Sequence, residues 1–168
     1  MKIEGVRLIQ GVTNTDERGS FTKHVSGIED LNFKLRESFV SKSFKGVVRG
    51  MHLQLGPMSG WKLVTVLSGE IFDVLVDLRP KSSTYLATET FSLDENTGRS
   101  ILVPEGVAHG FQAQTDVAML YQTEYSYSPD HDTGVNPLSL NINWPLEISV
   151  MSIRDRELPS LANWNIVN

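Results

Sequence analysis

The stretch Ile71-Phe-Asp-Val-Leu-Val-Asp-Leu78 constrains the fold most, because Phe72, Val74, Val76 and Leu78 alternate with Asp73, Leu75 and Asp77. A period of two is that of a β-strand with one buried face, and it excludes an amphipathic helix over the same residues. Comparable patterns predict strands over Val47 to Leu53, Lys62 to Leu67, Thr88 to Leu93, Ser100 to Val103, Gly110 to Gln114 and Val117 to Tyr125. Turn chemistry separates them at Gly56-Pro57, Ser68-Gly69, Pro80 to Ser83, Asn96 to Gly98 and Pro104 to Gly106. Many short strands with close-set turns imply an all-β sandwich or barrel. Helix is confined to a segment near Ile28 to Leu35 and a short one near Ser152 to Arg156. The tail from Asn141 carries Ile142, Trp144, Ile148 and Ile153 as anchors expected to pack on the barrel.

A chain of 168 residues fits one domain, expected over 1–168, with an apolar core of its own. Fifteen Lys and Arg against twenty Asp and Glu give a net charge of -5 without a dense basic run, so nucleic acid is not an expected partner. Glu4 and Arg7 interrupt the start where a secretory signal needs apolar residues. No apolar run approaches the roughly 20 residues that span a bilayer, so no membrane partner is expected. The absence of cysteine removes disulfides, thiolate nucleophiles and zinc-thiolate sites, and a cytoplasmic enzyme fits.

Several side chains invite chemistry. Alternation places His52 and Gln54 on one strand face, while Arg49 joins them only if Gly50 introduces a bulge. A lone histidine in an apolar strand is ordinarily a packed core residue. Lys62 alternates with Val64 and Val66; it shares the face of His52 if a hairpin closes around Pro57 and Met58, and is otherwise a snorkelling rim lysine. The turn Pro104-Glu-Gly-Val-Ala-His109-Gly resembles the second motif of cupins. A cupin metal site needs three or four ligands, against which His52 and His109 are only two, so no metal and no other cofactor is expected. Tyr121, Tyr125 and Tyr127 fall on one face, either as aromatic packing or with one hydroxyl meeting a substrate. Ser152-Ile-Arg-Asp155 reads as a capped turn.

Together these segments resemble the deoxysugar nucleotide 3,5-epimerase family, typified by the enzyme acting on dTDP-4-keto-6-deoxyglucose in rhamnose synthesis. The resemblance runs through Asp16-Glu-Arg-Gly-Ser-Phe21, Lys45 to Gln54, Trp61 to Val64, Gly69 to Arg79, Pro104 to Phe111, Tyr125 to Pro129, Asn143-Trp-Pro145 and Ser152 to Asp155. It implies a cupin-type jelly-roll β-barrel with a few short peripheral helices. It also implies a cofactor-free epimerase acting at C3, C5 or both of a nucleotide-linked 4-keto-6-deoxy sugar. By the same resemblance His52 is the general base, Asp155 its orienting carboxylate, Lys62 the cation at the forming enolate and Tyr127 the acid on the opposite face. Arg49 and His109 match substrate-site residues, Gln54 joins them on the strand, and Arg18 and Phe21 match nucleotide contacts, some reaching the partner subunit of a homodimer. The chain departs from the family where Lys23 replaces a usual glutamate, where Glu37 and Phe39 replace a glutamine and an asparagine, and along Gly134 to Asn141. A metal-dependent cupin enzyme and a non-catalytic sugar-nucleotide binding module are the competing readings.

Overall fold

The structure is a computed structural model that describes residues 2–27 and 31–164. Twelve strands follow in order: β1 (Arg7–Gln10), β2 (Val12–Asp16), β3 (Gly19–Lys23), β4 (Glu37–Ser43), β5 (Val48–Gln54), β6 (Lys62–Ser68), β7 (Glu70–Asp77), β8 (Thr88–Asp94), β9 (Arg99–Val103), β10 (Val107–Ala113), β11 (Val117–Thr123) and β12 (Asp132–Gly134). One helix, α1 (Ile153–Glu157), and short 3-10 turns complete the described elements. Two five-stranded antiparallel sheets, ordered β1-β9-β6-β11-β4 and β12-β5-β10-β7-β8, face each other as a cupin-like jelly roll, and β2 and β3 form a separate hairpin.

The core explains the strand patterns. Between the sheets lie Val64, Val66, Ile71, Leu75, Ile101, Val103, Phe111, Met119 and Tyr121. The outer face of the second sheet carries Met51, Leu53, Val74, Val76, Leu78 and Ala108, covered by Val135, Leu140, Ile142, Trp144 and Trp164. The one-sided reading of β7 therefore needs correction: Ile71, Asp73 and Leu75 face the interior, while Phe72, Val74 and Val76 face the C-terminal segment. Trp144 meets Phe72 edge-on at 6.0 Å. Ile142 and Trp144 act as expected of anchors, but Ile153 is exposed and anchors nothing.

Three further corrections concern local structure. The predicted strand from Val117 ends at Thr123, and residues 124–129 are irregular. In the predicted helix near Ile28 to Leu35, residues 28–30 lie outside the described residues and 33–36 lead without helix into β4. The hairpin placing Lys62 beside His52 does not form: β5 pairs with β10 and β12, whereas β6 pairs with β9 and β11. The two strands stand on opposite walls, and residues 55–61 cross between them.

Candidate active site

The interior opens into a cavity of about 490 Å3, lined among others by Glu37, Phe39, Arg49, His52, Lys62, His109, Tyr121, Tyr127, Asp132 and Arg154. Its volume falls within the usual range for small-molecule sites. One wall is built by β5 and β10, whose register sets His109 opposite His52. Between them the register slips: two steps along β10, from His109 to Phe111, match three along β5, from His52 to Arg49. The extra residue is at Gly50, where φ is +131° and a Cβ would lie 2.5 Å from Gly110 Cα. Only glycine tolerates that combination, and the bulge brings Arg49 to the cavity as the sequence condition required. Arg49 is steadied by donating from Nε to Ser43 Oγ at 2.8 Å.

His52 is half-buried and its Nε2 lies 2.8 Å from Oδ1 of the buried Asp155. Asp155 reaches it from α1, whose N-cap Ser152 accepts the Asp155 N–H at 3.0 Å. The second carboxylate oxygen accepts the Gly50 N–H at 3.2 Å, so the bulge and the carboxylate hold each other. Burial acts to raise the Asp155 carboxyl, but the hydrogen bond and charge of His52 and the Gly50 amide together hold it below its ordinary value. With the proton on Nε2, the basic atom of a neutral His52 is Nδ1.

Lys62 approaches from the facing wall. Its Nζ lies 3.5 Å from the His52 carbonyl oxygen, so the expected neighbourhood exists although the hairpin premise fails. Burial pushes the ammonium down to about 8, against the opposing pull of Asp132 and Asp73. Gln54 lines the cavity with its amide fully engaged: it donates to the Met58 and Ser126 carbonyls at 3.2 and 3.0 Å and accepts the Ser128 N–H at 2.6 Å. It thereby fixes the irregular segment that carries Tyr127.

Two tyrosines occupy different depths. Tyr127 is 63% exposed at the mouth, whereas Tyr121 is 8% exposed on β11, within the sheet facing His52. Tyr121 meets His109 edge-on at 6.0 Å and stacks on Phe39 at 5.0 Å. Burial pushes its phenol up, and Arg49 counters in part. Arg18 and Phe21 are not brought to the cavity of their own chain. They lie on the β2–β3 hairpin with Phe21 62% exposed and the Arg18 side chain 83% exposed beside Asp16.

Sequence reasoning missed three side chains here. Asp73 is fully buried behind His109, accepting from or sharing a proton with its Nε2 at 2.6 Å, a second imidazole–carboxylate pair. Asp132 and Arg154 line the cavity and pair at 2.6 Å. Asp73 was visible only as a charge inside an apolar strand, and that was its one signal. Among the described residues no group of three or more His, Cys, Asp or Glu side chains is placed to hold a metal ion, and no helix is long and apolar enough to cross a membrane.

The chain is similar to known proteins over nearly its whole length. Residues 1–163 fit the sequence profile of the family described as dTDP-4-dehydrorhamnose 3,5-epimerase. The chain belongs to the dTDP-4-dehydrorhamnose 3,5-epimerase family. Within that family it is 36% identical to the dTDP-4-dehydrorhamnose 3,5-epimerase of Methanothermobacter thermautotrophicus, over 92% of this chain and 88% of that one. It is 38% identical to the dTDP-4-dehydrorhamnose 3-epimerase of Streptomyces niveus, over 95% and 81%. The crystal structure of the dTDP-6-deoxy-D-glucose-3,5-epimerase of Legionella pneumophila, in complex with dTDP-4-keto-L-rhamnose, superposes with a TM-score of 0.90 at 31% identity, covering 98% of this chain and 92% of that one. Like other members of the dTDP-4-dehydrorhamnose 3,5-epimerase family, the chain is an isomerase of nucleotide sugars.

Proposed function

We propose that the protein epimerises a nucleotide-linked 4-keto-6-deoxyhexose at C3, C5 or both by proton transfer, within deoxysugar biosynthesis. The observation that carries this reading is the His52–Asp155 pair at 2.8 Å with the Lys62 ammonium beside it in a hexose-sized cavity. His52 removes the proton on the carbon next to the C4 ketone, and the C–H electron pair moves into an enolate with its charge on O4. Asp155 orients the imidazole and stabilises the imidazolium. Lys62 neutralises the oxyanion, and one such donor typically lowers the barrier by about 3 to 4 kcal/mol. Inversion is completed by a proton arriving on the opposite face of the same carbon.

Tyr127 has that role by resemblance, but its exposure leaves its proton in exchange with bulk water. Tyr121 is the better-supported donor. It stands on the wall facing His52, burial keeps it a neutral phenol, and its hydroxyl donates to the Met119 sulfur at 3.6 Å. Arg49 favours the tyrosinate left behind. His109, backed by Asp73, and Arg49 hold the sugar and its diphosphate, and Tyr127 covers the mouth. The exposed hairpin carrying Arg18 and Phe21 supports a homodimer in which each hairpin reaches the other subunit.

The test is solvent deuterium incorporation with 4-keto-6-deoxy sugar nucleotides in heavy water. Deuterium at C3 or C5 with inverted configuration is expected, and no exchange on any such substrate overturns the reading. Tyr121→Phe should lose inversion while His52-dependent exchange persists. If Tyr127→Phe alone loses inversion, proton return belongs to Tyr127.

A further inference from the structure

Among the described residues the Ser41 hydroxyl lines the cavity, shielded from water and without a hydrogen-bond partner. Leaving a shielded hydroxyl unpaired costs free energy, so such a group calls for an explanation. Its place in the sheet supplies one. β4 pairs antiparallel with β11, with Ser41 opposite Met119 and Phe39 opposite Tyr121. Residues directly opposite share a sheet face, and so do residues two apart along a strand. Ser41, Met119 and Tyr121 therefore all face the interior. The Tyr121 side chain leans along β11 from its own pair to the next, where its hydroxyl donates to Met119 Sδ at 3.6 Å. The phenol oxygen thus stands at the pair formed by Met119 and Ser41.

The sulfur suits only the resting state, because a thioether accepts a weak hydrogen bond and has none to give. When Tyr121 passes its proton to the enolate carbon, the enolate π pair forms the new C–H bond. The O–H bonding pair stays behind on a phenolate oxygen. That oxygen needs donors, and Met119 cannot be one. Ser41 keeps its own proton and can turn it to the phenolate by rotation about one bond. A hydrogen bond to a charged acceptor is about twice as strong as a neutral one. The electrostatics agree in sign: burial pushes the Tyr121 phenol up, Ser41 pulls against it, Asp73 adds to the rise and Arg49 opposes it.

We propose that Ser41 is a positioning residue for Tyr121. Its hydroxyl donates to the phenolate formed when Tyr121 protonates the sugar carbon, and so sets how often the enolate is inverted rather than returned to its starting configuration. The inference rests on the reading of Tyr121 as the proton donor.

The experiment follows two rates by NMR in heavy water: inversion, and deuterium exchange with configuration retained, which His52 performs from its own face. The substrate is whichever of dTDP-, CDP- or GDP-linked 4-keto-6-deoxyglucose turns over fastest. Ser41→Ala should slow inversion by about ten- to a hundredfold and leave retentive exchange within about twofold. Ser41→Thr, which keeps the hydroxyl on a strand that suits a β-branched residue, should restore inversion. Adding Ser41→Ala to Tyr121→Phe should slow inversion no further. An unchanged ratio of inversion to exchange in Ser41→Ala, a Thr variant no better than Ala, or a further fall in the double variant overturns the inference. Tyr121→Phe alone separates the two claims. If it loses inversion while Ser41→Ala keeps the wild-type ratio, only the role of Ser41 fails; if it inverts normally, the assignment of Tyr121 fails and Ser41 with it. A wild type that neither exchanges nor inverts on any of the three substrates overturns the epimerase reading and the inference together.

Discussion

Lys62→Met should stabilise the fold at neutral pH while removing most of the activity. The drop of the ammonium from its ordinary 10.5 to about 8 means that the folded protein disfavours the charged form by about 3 kcal/mol relative to the unfolded chain. Allowing for contact with cavity water, since Lys62 is only half-buried, leaves about 2 kcal/mol. Methionine fills similar volume without that cost. The sign fixes a pH window. The unfolded chain keeps the proton up to its higher value, so between pH 8 and 10.5 it binds more protons than the folded protein, and wild-type stability rises with pH. The advantage of Lys62→Met is therefore greatest below pH 8 and fades as pH approaches 10.5. Urea denaturation followed by tryptophan fluorescence, on both proteins at pH 7 and pH 10, measures the gap, and titrations shared by both cancel. Deuterium exchange on the same samples should fall about 100- to 1,000-fold for the variant, and wild-type kcat/KM should decline above about pH 8. A variant less stable than wild type at pH 7, or a gap unchanged at pH 10, refutes the assignment of Lys62 as a desolvated ammonium.

Asp155→Asn should lower kcat by about 1,000-fold or more with a much smaller change in KM, measured by steady-state epimerisation, since it removes the group that orients His52. Because Asp155 is held below its ordinary value, its contribution to stability is complete above the unfolded value and is lost as pH falls through the lower folded one. Gly50→Ala combines a φ of +131° with a Cβ 2.5 Å from Gly110 Cα, so it should cost about 2 kcal/mol or more in urea denaturation and reduce activity through displaced Arg49 and His52. Asp77 is held down to about 2: burial raises it, and hydrogen bonds from Arg79, Ser82 and Thr84 outweigh burial. Wild-type stability should fall by about 2 kcal/mol between pH 4 and pH 2 from this group alone, and Asp77→Asn, scanned by urea over that range, should flatten the loss.

How much was legible follows from what each strand touches. The strands over residues 62–68, 70–77 and 117–123 are packed on the core and display their period in the sequence. By contrast β2, Val12-Thr-Asn-Thr-Asp16, is exposed at every position, and β4 is an edge strand with Phe39 and Val40 open to solvent. Such strands are held by backbone pairing, which leaves no alternation to read. Within the site, alternation correctly grouped His52 with Gln54 and Lys62 with Val64 and Val66, because facing is a local property. Pairing is not local, and Lys62 reaches His52 across the barrel rather than along a hairpin. Asp73 was assigned to an outward face for the same reason: two-sided burial hid which face was the interior.

That two-sided burial also ties the fold to the chemistry. The second sheet can present apolar residues on its outer face only because the C-terminal segment covers Val74, Val76 and Ala108. The same segment carries α1, which delivers Asp155 to the Gly50 amide and the His52 ring. A β5 without its bulge would pair regularly with β10, hide the Gly50 amide in the ladder and turn Arg49 away. A tail without Asp155 would leave that amide unpaired in a buried position. The irregularity in β5 and the acid on α1 thus satisfy each other, which is why two segments about a hundred residues apart meet in one imidazole–carboxylate pair.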